Sequence, residues 1–245
     1  MTEKERVYYN FFAHDYHLKR KQPWRAFLDF IEKYVGKDLF RSITTGISVD
    51  LGCANGRHFE VINSKHNHLI GIDNSIEFLT IARKTQLEDN FKTIHLCCAD
   101  INYLPLRTAS VDNFISIATL HHISSEKNRK RVMEIIFKSL KKEGYLLFSV
   151  WRRWQKKFFS HFLLDKIKRL FLPKYRICQE KLGLKEFGDK LVPWTVSQTN
   201  KTYYRFYHLF SKREAKHLCE DFEIVKFEAI GGPTHRDNFF ILCQK

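Results

Sequence analysis

The stretch VDLGCANGR, residues 49–57, contains the strongest structural signal in this 245-residue sequence. A short apolar run ends in the acid Asp50 and then breaks into Gly52, Ala54 and Gly56. A glycine-rich turn between a strand and the following helix lets backbone N–H groups approach a ligand closely. We therefore predict a first strand, a tight turn, and a ligand that lies against the bare backbone of that turn.

Two further acids follow at the ends of the next two predicted strands. Asp73 closes the stretch HLIGID, 23 residues after Asp50, where a carboxylate can accept both hydroxyls of a ribose. Asp100 ends the third strand, in CCADI, where an acid can bond to an adenine amine. Three strands that end in acids around one glycine turn are typical of an adenosine site. The alternative is a purely structural turn with solvent-facing acids at the strand ends.

Strand and helix patterns alternate up to residue 151. The predicted strands are GISVD, HLIGID, TIHLCC, VDNFISIA and YLLFSVW, and the predicted helices are 22–35, 57–65, one opened by Ser75, and about 126–142, stopped by Gly144. This alternation predicts an α/β fold with a parallel sheet and helices on both faces. After a capping-box pattern at residues 211–214, FEIVKFEAI and NFFILCQ predict an antiparallel hairpin joined by GGPTHRD.

The composition indicates a folded protein without a membrane span. Hydrophobic residues make up 44% of the chain and aromatic residues 15%, as expected of a globular core. No apolar run reaches ~18 residues, and the N-terminus shows no signal-peptide pattern. The six cysteines form no CxxC pair, which argues against a metal site. We expect a single domain over residues 1–245, no metal, no membrane partner, and a cytoplasmic location, with the nucleus as an additional one.

Positive charge is concentrated in one aromatic-rich segment. The formal net charge is +15, and residues 151–176 hold nine Lys or Arg against one Asp. Basic and aromatic side chains together favour a single-stranded nucleic acid as partner, because they supply phosphate contacts and base stacking. A helix that lies on a lipid surface has a similar pattern, as does a solvated helix face. The RNA-binding residues predicted in this segment are Arg152, Arg153, Lys156 and Lys157.

The position of Asp50, two residues before Gly52, suits a cationic ligand such as S-adenosylmethionine better than a nicotinamide. With the C-terminal hairpin, this turn resembles that of the class I methyltransferases, and the resemblance covers nearly the whole chain. It implies a Rossmann-like seven-stranded sheet with a C-terminal antiparallel hairpin, and S-adenosylmethionine as cofactor. The cofactor-binding residues that it implies are Asp50, Gly52, Gly56, Asp73, Asn74, Asp100, Ile101 and Ala118.

Three stretches resemble a narrower family, the eukaryotic tRNA wobble-uridine carboxymethyl methyltransferases. They are YYNFFAHDYHLKRKQPW, SIATLHHI with SVWRRWQ, and LVPWT with YYRFYHLF. The insertion at about 151–200 resembles the family only in being basic and rich in aromatic residues. Ala54 and Lys19 depart from the family pattern, where glycine and threonine are usual. The resemblance implies esterification of 5-carboxymethyluridine at the tRNA wobble position. It also implies a heterodimer with a small zinc-binding activator protein, which would cover an apolar sheet edge such as FKTIHLCC.

A carboxylate acceptor is already ionised at neutral pH, so methyl transfer to it needs alignment rather than a strong base. Arginine aligns a carboxylate best, through its planar two-pronged guanidinium. The predicted catalytic residues are Arg20, His122, Arg205, Tyr207 and His208, with Arg152 as a further candidate clamp. The histidines, including His121, and Tyr207 are alternatively structural. Trp24 and Trp194 either stack a base or pack in the core, and packing is favoured for Trp24.

Two other functions stay open at this point. A small-molecule methyltransferase, acting on a quinone precursor or an acidic metabolite, would need no strongly basic segment. A non-catalytic adenosine- or RNA-binding module would bind the cofactor without turnover, although the three strand-end acids argue against it. The tRNA carboxyl methyltransferase is the favoured prediction.

Overall fold

Helices and strands alternate along the chain in the computed structural model, which describes residues 3–42, 44–63, 67–88 and 94–245. The helices are α1 (Glu3–Lys19), α2 (Arg25–Phe30, continued by a π-helical turn at Ile31–Val35), α3 (Lys37–Ser42), α4 (Phe59–Ile62), α5 (Ile76–Glu88), α6 (Glu126–Ser139), α7 (Phe159–Phe171), α8 (Pro173–Lys181) and α9 (Lys212–His217). The strands are β1 (Gly46–Leu51), β2 (Asn67–Asp73), β3 (Ile94–Cys98), β4 (Val111–Ile117), β5 (Leu140–Trp151), β6 (Asp189–Thr195), β7 (Thr202–His208), β8 (Glu223–Ile230) and β9 (Asn238–Gln244).

Seven of these strands form one sheet in the order β3-β2-β1-β4-β5-β9-β8. The first five are parallel, and β9 pairs antiparallel with both β5 and β8. The predicted α/β class, the Rossmann-like seven-stranded sheet and the C-terminal antiparallel hairpin are confirmed. The last strand of the chain, β9, lies between β5 and β8, so β8 forms the edge of the sheet.

Helices cover both faces of this sheet. On one face α6 and α9 bury apolar side chains such as Val132, Ile136 and Ala215. On the other face α2, α4 and α5 do the same, with Phe27 and Phe59 fully buried. The sheet strands are therefore apolar on both sides, as a doubly covered parallel sheet requires.

A second, two-stranded sheet was not predicted. β6 and β7 pair antiparallel, and Val192 and Tyr207 pack with Phe158, Phe162 and Leu209 in a separate small core. The first strand of this sheet, β6, lies within the predicted basic insertion, and β7 follows directly after that insertion. The small sheet stands beside the main sheet and contributes to the site described below.

Several predicted boundaries differ from the structure. The first predicted helix begins at Arg25, because Trp24 is still extended. The second is only Phe59–Ile62, and residues 64–66 of the prediction, like residue 93 of the third strand, lie outside the described residues. The helix predicted to reach 142 ends at Ser139, because Leu140 already pairs with Val111.

No helix in the described ranges is long and apolar enough to cross a membrane.

Candidate active site

A cavity of about 790 Å³ opens at the carboxyl ends of the parallel strands. One part of its wall is the turn after β1, together with Asp73 and Ala118 at the ends of β2 and β4. Another part comes from α1 and the β6–β7 sheet, which contributes Trp194, Arg205 and Tyr207. Open α/β sheets bind their ligands at this edge, so the cavity is the candidate active site.

The predicted glycine turn is present and follows β1 directly. Gly52 has a φ of 77°, and a side chain at this position would overlap Thr119. Its N–H donates to the carbonyl of Ile72 at 2.7 Å. Ala54 also adopts the left-handed conformation, with a φ of 47°, which costs a non-glycine residue about 1–2 kcal/mol. Gly56, with a φ of 74°, shapes the turn and does not line the cavity.

Asp73 lines the cavity at the end of β2. Its Oδ2 accepts a hydrogen bond from the N–H of Ala54 at 3.0 Å, and its Oδ1 accepts one from the N–H of Ser75 at 2.9 Å. Burial raises the pKa of Asp73 to about 6, against the effect of these N–H groups. The N–H of Asn74 also acts on this carboxylate, and the acceptor capacity that remains beside these three N–H groups lies at the cavity wall, where it can accept a ribose hydroxyl.

Asp50 is buried directly behind the cavity wall. Its neighbours Leu51 and Gly52 line the cavity, whereas Asp50 is 1% exposed. Its Oδ2 has no hydrogen-bond partner among the described residues. Burial and repulsion from Asp73 raise the pKa of Asp50 to about 7, and Arg57 opposes the shift. A buried carboxylate without a partner is stabilised by a positive charge nearby, so this site fits a cationic ligand.

The remaining predicted cofactor residues divide into two groups. Asn74, Ile101 and Ala118 lie in the cavity wall. Asp100 does not, because its Oδ1 accepts from the backbone N–H and the side-chain amide of Asn102, at 2.9 and 2.8 Å. Asn102 lines the cavity in its place. A direct contact of Asp100 with an adenine stays a prediction.

Arg205 is held in a cage of aromatic rings at the cavity wall. Its Cζ lies 4.9 Å from the ring centroid of Trp194, 5.1 Å from that of Tyr207 and 5.9 Å from that of Phe12. Its Nε is buried without a hydrogen-bond partner, and none of the described carboxylates pairs with its guanidinium. Arg205 is therefore a fixed cation that faces the cavity and lacks an anion.

The groups next to Arg205 are uncharged at neutral pH. Burial, and then the charge of Arg205, lower the pKa of His122 to about 3. Burial raises the pKa of Tyr207 to about 12. The Nδ1 of His122 lies 3.1 Å from the carbonyl of Phe206, which can only accept, so we place the imidazole proton on Nδ1. The Tyr9 hydroxyl lies 3.0 Å from the same nitrogen.

His121 lies between the sheet and the aromatic cage. Its ring stacks on that of Tyr207, with centroids 4.6 Å apart, and contacts Trp151 at 5.7 Å. Burial holds the pKa of His121 well below its usual range. Its packing favours the structural alternative that the sequence left open for this residue. Trp24 also packs, against Phe240 in the core, while its edge lines the cavity.

Two predicted functional side chains lie in a buried ion-pair cluster instead. His208, 1% exposed, has its Nδ1 2.8 Å from Oδ1 of Asp189. Arg153, 4% exposed, donates through Nη2 to both oxygens of Glu214, at 2.6 and 2.5 Å, and through Nε to the carbonyl of Leu209. These contacts connect the insertion to α9. They correct the prediction that His208 is catalytic and that Arg153 binds RNA, because neither side chain reaches the cavity or the surface.

Arg20 lies at the exposed rim of the cavity. Its Nη1 donates to the carbonyl of Lys19 at 2.9 Å, and its own carbonyl accepts from Nδ2 of Asn55 at 3.0 Å. Asn55 belongs to the glycine turn, so this bond ties the segment after α1 to the cofactor side of the cavity. Lys21 and Arg57 line the same rim and make it cationic, whereas Arg25 there pairs with Asp29 at 2.9 Å.

The remaining predicted RNA-binding residues lie on the surface. Lys156 and Lys157 are exposed in the turn before α7. Arg152 borders a second cavity, of about 710 Å³, whose wall includes Lys33 and Lys212. Their contact with RNA stays a prediction.

Asp15 is a buried residue beside the cavity whose structural role sequence reasoning missed. Its Oδ2 accepts from Nζ of Lys19 and Nε1 of Trp194, at 2.7 and 2.8 Å, and its Oδ1 accepts from the N–H of Ser197 at 2.9 Å. Burial opposes ionisation, but these hydrogen bonds outweigh it and lower the pKa of Asp15 to about 2. Asp15 thus joins α1 to the β6–β7 sheet beside the cavity. Nothing in the sequence marks it, since it is one acid in a helical segment.

Comparison with known proteins identifies related sequences. Residues 49–148 match the family described as a methyltransferase domain. A tRNA (carboxymethyluridine(34)-5-O)-methyltransferase of Schizosaccharomyces pombe is 26% identical over 92% of this chain and 89% of its own length. A similarly named protein of Xenopus tropicalis is 28% identical over 89% of this chain and 37% of its own length. A protein of Encephalitozoon cuniculi named as a methyltransferase is 25% identical over 99% of this chain and 97% of its own.

Solved structures show the same fold. A SAM-dependent methyltransferase of Methanosarcina mazei has a TM-score of 0.64 at 22% identity, covering 91% of this chain and 98% of its own. One from Clostridium acetobutylicum has a TM-score of 0.65 at 14% identity, covering 96% and 98%. A DhpI–SAM–HEP complex has a TM-score of 0.65 at 14% identity over the whole of both chains.

The residues of the cavity fit S-adenosylmethionine as cofactor. The turn at Gly52 is bare, because any side chain there would overlap Thr119. Asp73 lines the cavity as a hydrogen-bond acceptor, and the unpartnered oxygen of Asp50 favours a positive charge. Residues 49–148 thus match a methyltransferase domain, the sheet has the fold of solved SAM-dependent methyltransferases, and the cavity offers the groups that S-adenosylmethionine requires.

Proposed function

We propose that this methyltransferase esterifies the carboxylate of 5-carboxymethyluridine at the wobble position of tRNA. The relatives from Schizosaccharomyces pombe and Xenopus tropicalis, which match about nine-tenths of this chain, carry the name of that reaction. We propose further that the protein carries out this reaction in the cytoplasm.

The observation that carries the proposal is Arg205, which pairs with none of the described carboxylates. Arg205 is half-buried, and its Nε is buried without a hydrogen-bond partner. A partly desolvated guanidinium is stabilised when a ligand supplies an anion. Its planar fork matches a carboxylate in two parallel hydrogen bonds. The rings of Trp194 and Tyr207 fix its position by cation–π contacts. Arg205 is therefore suited to orient an acceptor carboxylate within the cavity.

The protonation states of the neighbouring groups favour the same acceptor. S-adenosylmethionine supplies an electrophilic methyl group. His122, with a pKa of about 3, is too weak a base to remove a proton from a hydroxyl, and Tyr207, with a pKa of about 12, keeps its own proton. An acceptor that is already ionised at neutral pH needs neither group as a base. These residues then position the carboxylate and exclude water.

The basic surfaces support a polyanionic carrier of that carboxylate. Arg20, Lys21 and Arg57 line the rim of the cavity, and Lys156 and Lys157 are exposed on the insertion. Phosphate contacts by such residues position a nucleic acid without reading its sequence. A free acidic metabolite would need only the cation inside the cavity.

The test is methylation of tRNA that lacks the final ester. The protein is incubated with labelled S-adenosylmethionine and this tRNA, and the nucleosides are then identified by mass spectrometry. We expect label in the methyl ester of 5-carboxymethyluridine. Label in a different nucleoside, or transfer only to small acidic metabolites, would contradict the proposed acceptor and favour the small-molecule alternative.

A further inference from the structure

The outer surface of α7 and α8 exposes an unusual amount of apolar side chain. Of the fourteen large hydrophobic residues exposed in the described parts of the chain, nine lie between residues 159 and 182. We call them the apolar ridge: Phe159, Leu163, Leu164, Ile167, Leu170, Phe171, Leu172, Ile177 and Leu182. Contiguous apolar surface of this kind marks an interaction site, whereas scattered single residues do not.

The ridge on α7 points directly away from the protein. At about 100° per residue, the six ridge residues of α7 fall within an arc of about 140° centred near Ile167. Phe162 and Asp165, 0% and 3% exposed, lie about 140° and about 160° around the helix from Ile167 and pack inward. The apolar stripe is therefore the outer face of the helix, which is the reverse of an ordinary surface helix.

Internal contacts fix both helices, so the exposure of the ridge does not come from loose packing. Phe162 packs in the small core beside β6 and β7. Asp165 accepts from Nε of Arg169 and from the Tyr175 hydroxyl, both at 2.9 Å, which joins α7 to α8. Nη2 of Arg169 donates to the carbonyl of Leu184 at 3.0 Å. The ridge is a preformed surface.

Positive charges border the ridge. Lys166 and Lys168 flank the apolar stripe on its two sides, by the same helical spacing. The exposed basic residues of this region are Lys156, Lys157, Lys166, Lys168, Lys174, Arg176, Lys181 and Lys185. Within residues 156–185, all of them described, the exposed acid is Glu180, which lies 3.8 Å from Arg176. The partner of the ridge must therefore be anionic as well as apolar.

These two properties decide between the candidate partners. A second copy of the chain would bring the same positive charges together. RNA would match the charges, but seven of the nine ridge residues are aliphatic and offer no π-face to a base. An anionic lipid surface matches both, since acyl chains accept aliphatic side chains of any arrangement and lysines reach the headgroups.

We propose that α7 and α8 bind the surface of a membrane containing anionic lipids, with the ridge at the boundary of headgroups and acyl chains. Helices with an apolar face flanked by lysine lie in that plane. This is peripheral contact and requires no membrane-spanning segment. It would hold the methyltransferase at a membrane, and it does not depend on the acceptor proposed above.

The first experiment is co-sedimentation of the full chain with vesicles. Vesicles of phosphatidylcholine with about one-third phosphatidylserine should bind the protein at least ~10-fold more tightly than pure phosphatidylcholine, and added salt should weaken binding. In the triple variant Leu163→Gln, Ile167→Gln, Leu170→Gln, we expect vesicle binding to fall at least ~10-fold. The control variant Ile76→Gln, at an exposed apolar residue outside the ridge, should bind like the wild type.

A second measurement avoids any effect of substitution on folding of the ridge. Cys178 on α8 and Cys98 on β3 are both exposed. An environment-sensitive fluorophore on Cys178, in the Cys98→Ser variant, should shift to shorter wavelength when anionic vesicles are added. The same fluorophore on Cys98, in the Cys178→Ser variant, should not shift.

Three results would overturn the proposal. The first is no preference for anionic vesicles together with no shift at Cys178. The second is self-association in analytical ultracentrifugation that the triple variant abolishes, without vesicle binding, which would identify a second copy as the partner. The third is loss of tRNA affinity in the triple variant without vesicle binding, which would identify an RNA surface.

Discussion

At the scale of single residues, the position of Arg205 in its aromatic cage determines what the cavity can hold. Arg205→Ala removes a charge-assisted bond to a carboxylate, worth about 1.5–3 kcal/mol, so we expect turnover to fall roughly 10–100-fold. Cofactor affinity, measured by calorimetry, should change little. Arg83→Ala, at an exposed arginine of α5, is the matched control. Equal turnover in the Arg205 and Arg83 variants would remove Arg205 from the mechanism.

His122 gives a prediction about pH. Its pKa of about 3 leaves it uncharged and weakly basic across the neutral range. At saturating cofactor, turnover should therefore be flat from about pH 6.5 to about 8.5, because the bound cation keeps Asp50 ionised and neither His122 nor the acceptor carboxylate must lose a proton in this range. His122→Gln should lower turnover less than Arg205→Ala does. A rate that climbs through neutral pH, and that His122→Gln abolishes, would instead identify a histidine base and an acceptor other than a carboxylate.

Asp50 gives a prediction about stability. Its pKa in the folded protein, about 7, lies above the ~3.9 of an exposed aspartate. The stability from this group is therefore complete below about pH 4 and is lost as the pH rises through about 7. Asp50→Asn avoids that loss. Without cofactor, calorimetry should show its unfolding midpoint several degrees above the wild type near pH 8, and nearly equal to it near pH 4.

The matched control for Asp50 is Asp38→Asn, at an exposed aspartate of α3. It should follow the wild type at both pH values. The same Asp50→Asn protein should bind S-adenosylmethionine more weakly, since it loses the charge that favours a cation. If Asp50→Asn is less stable than the wild type near pH 8, the ionised carboxylate of Asp50 does not lower the free energy of unfolding, and this prediction is wrong.

At the scale of elements, Asp15 connects α1 to the β6–β7 sheet. Asp15→Ala leaves the indole N–H of Trp194 and the N–H of Ser197 without their acceptor, which costs about 1–3 kcal/mol. Urea unfolding at neutral pH measures this loss, with the exposed Asp221→Ala as control. Because the folded pKa of Asp15 is lowered to about 2, its contribution is present above about pH 4 and is lost as the pH falls through about 2.

Asp15→Ala should also change substrate binding, because it weakens the contact between α1 and the β6–β7 sheet at the cavity. Phe12, Arg205 and Trp194 meet where α1 and the small sheet join. Loosening that junction by Asp15→Ala should raise the KM for tRNA more than it lowers cofactor affinity. An unchanged KM together with an unchanged unfolding free energy would assign α1 no role in the site.

At the scale of the whole molecule, the main sheet ends at β3 on one side and β8 on the other. We propose that the edge at β3, rather than β8, receives a small zinc-binding activator protein. An open strand edge is a template for pairing with another chain. In the complex, hydrogen exchange at residues 94–98 should slow, with residues 223–230 as internal control. Full activity of the protein alone, or slowing at β8 instead, would contradict this partner.

The sequence by itself determined the layers of the fold and the cofactor side of the site. The run before Asp50, the glycines after it and the acid at Asp73 are local signals, because a turn and a strand end depend on residues that are adjacent in the chain. The capping box at Ser211 and Glu214 was predicted and is formed, for the same reason. Boundaries shifted where a neighbouring strand decided them, as at Leu140, which pairs with Val111.

Only the tertiary structure decided the acceptor side. Arg153, Arg205 and His208 lie in similarly basic or aromatic stretches, and sequence spacing does not separate them. Burial against Glu214 and Asp189 makes Arg153 and His208 structural, whereas Arg205 faces the cavity without a carboxylate. The direction of the ridge on α7 was equally undetermined, because an amphipathic pattern shows that a helix has two faces but not which face is covered. Contacts between distant segments made these choices, and no local pattern records them.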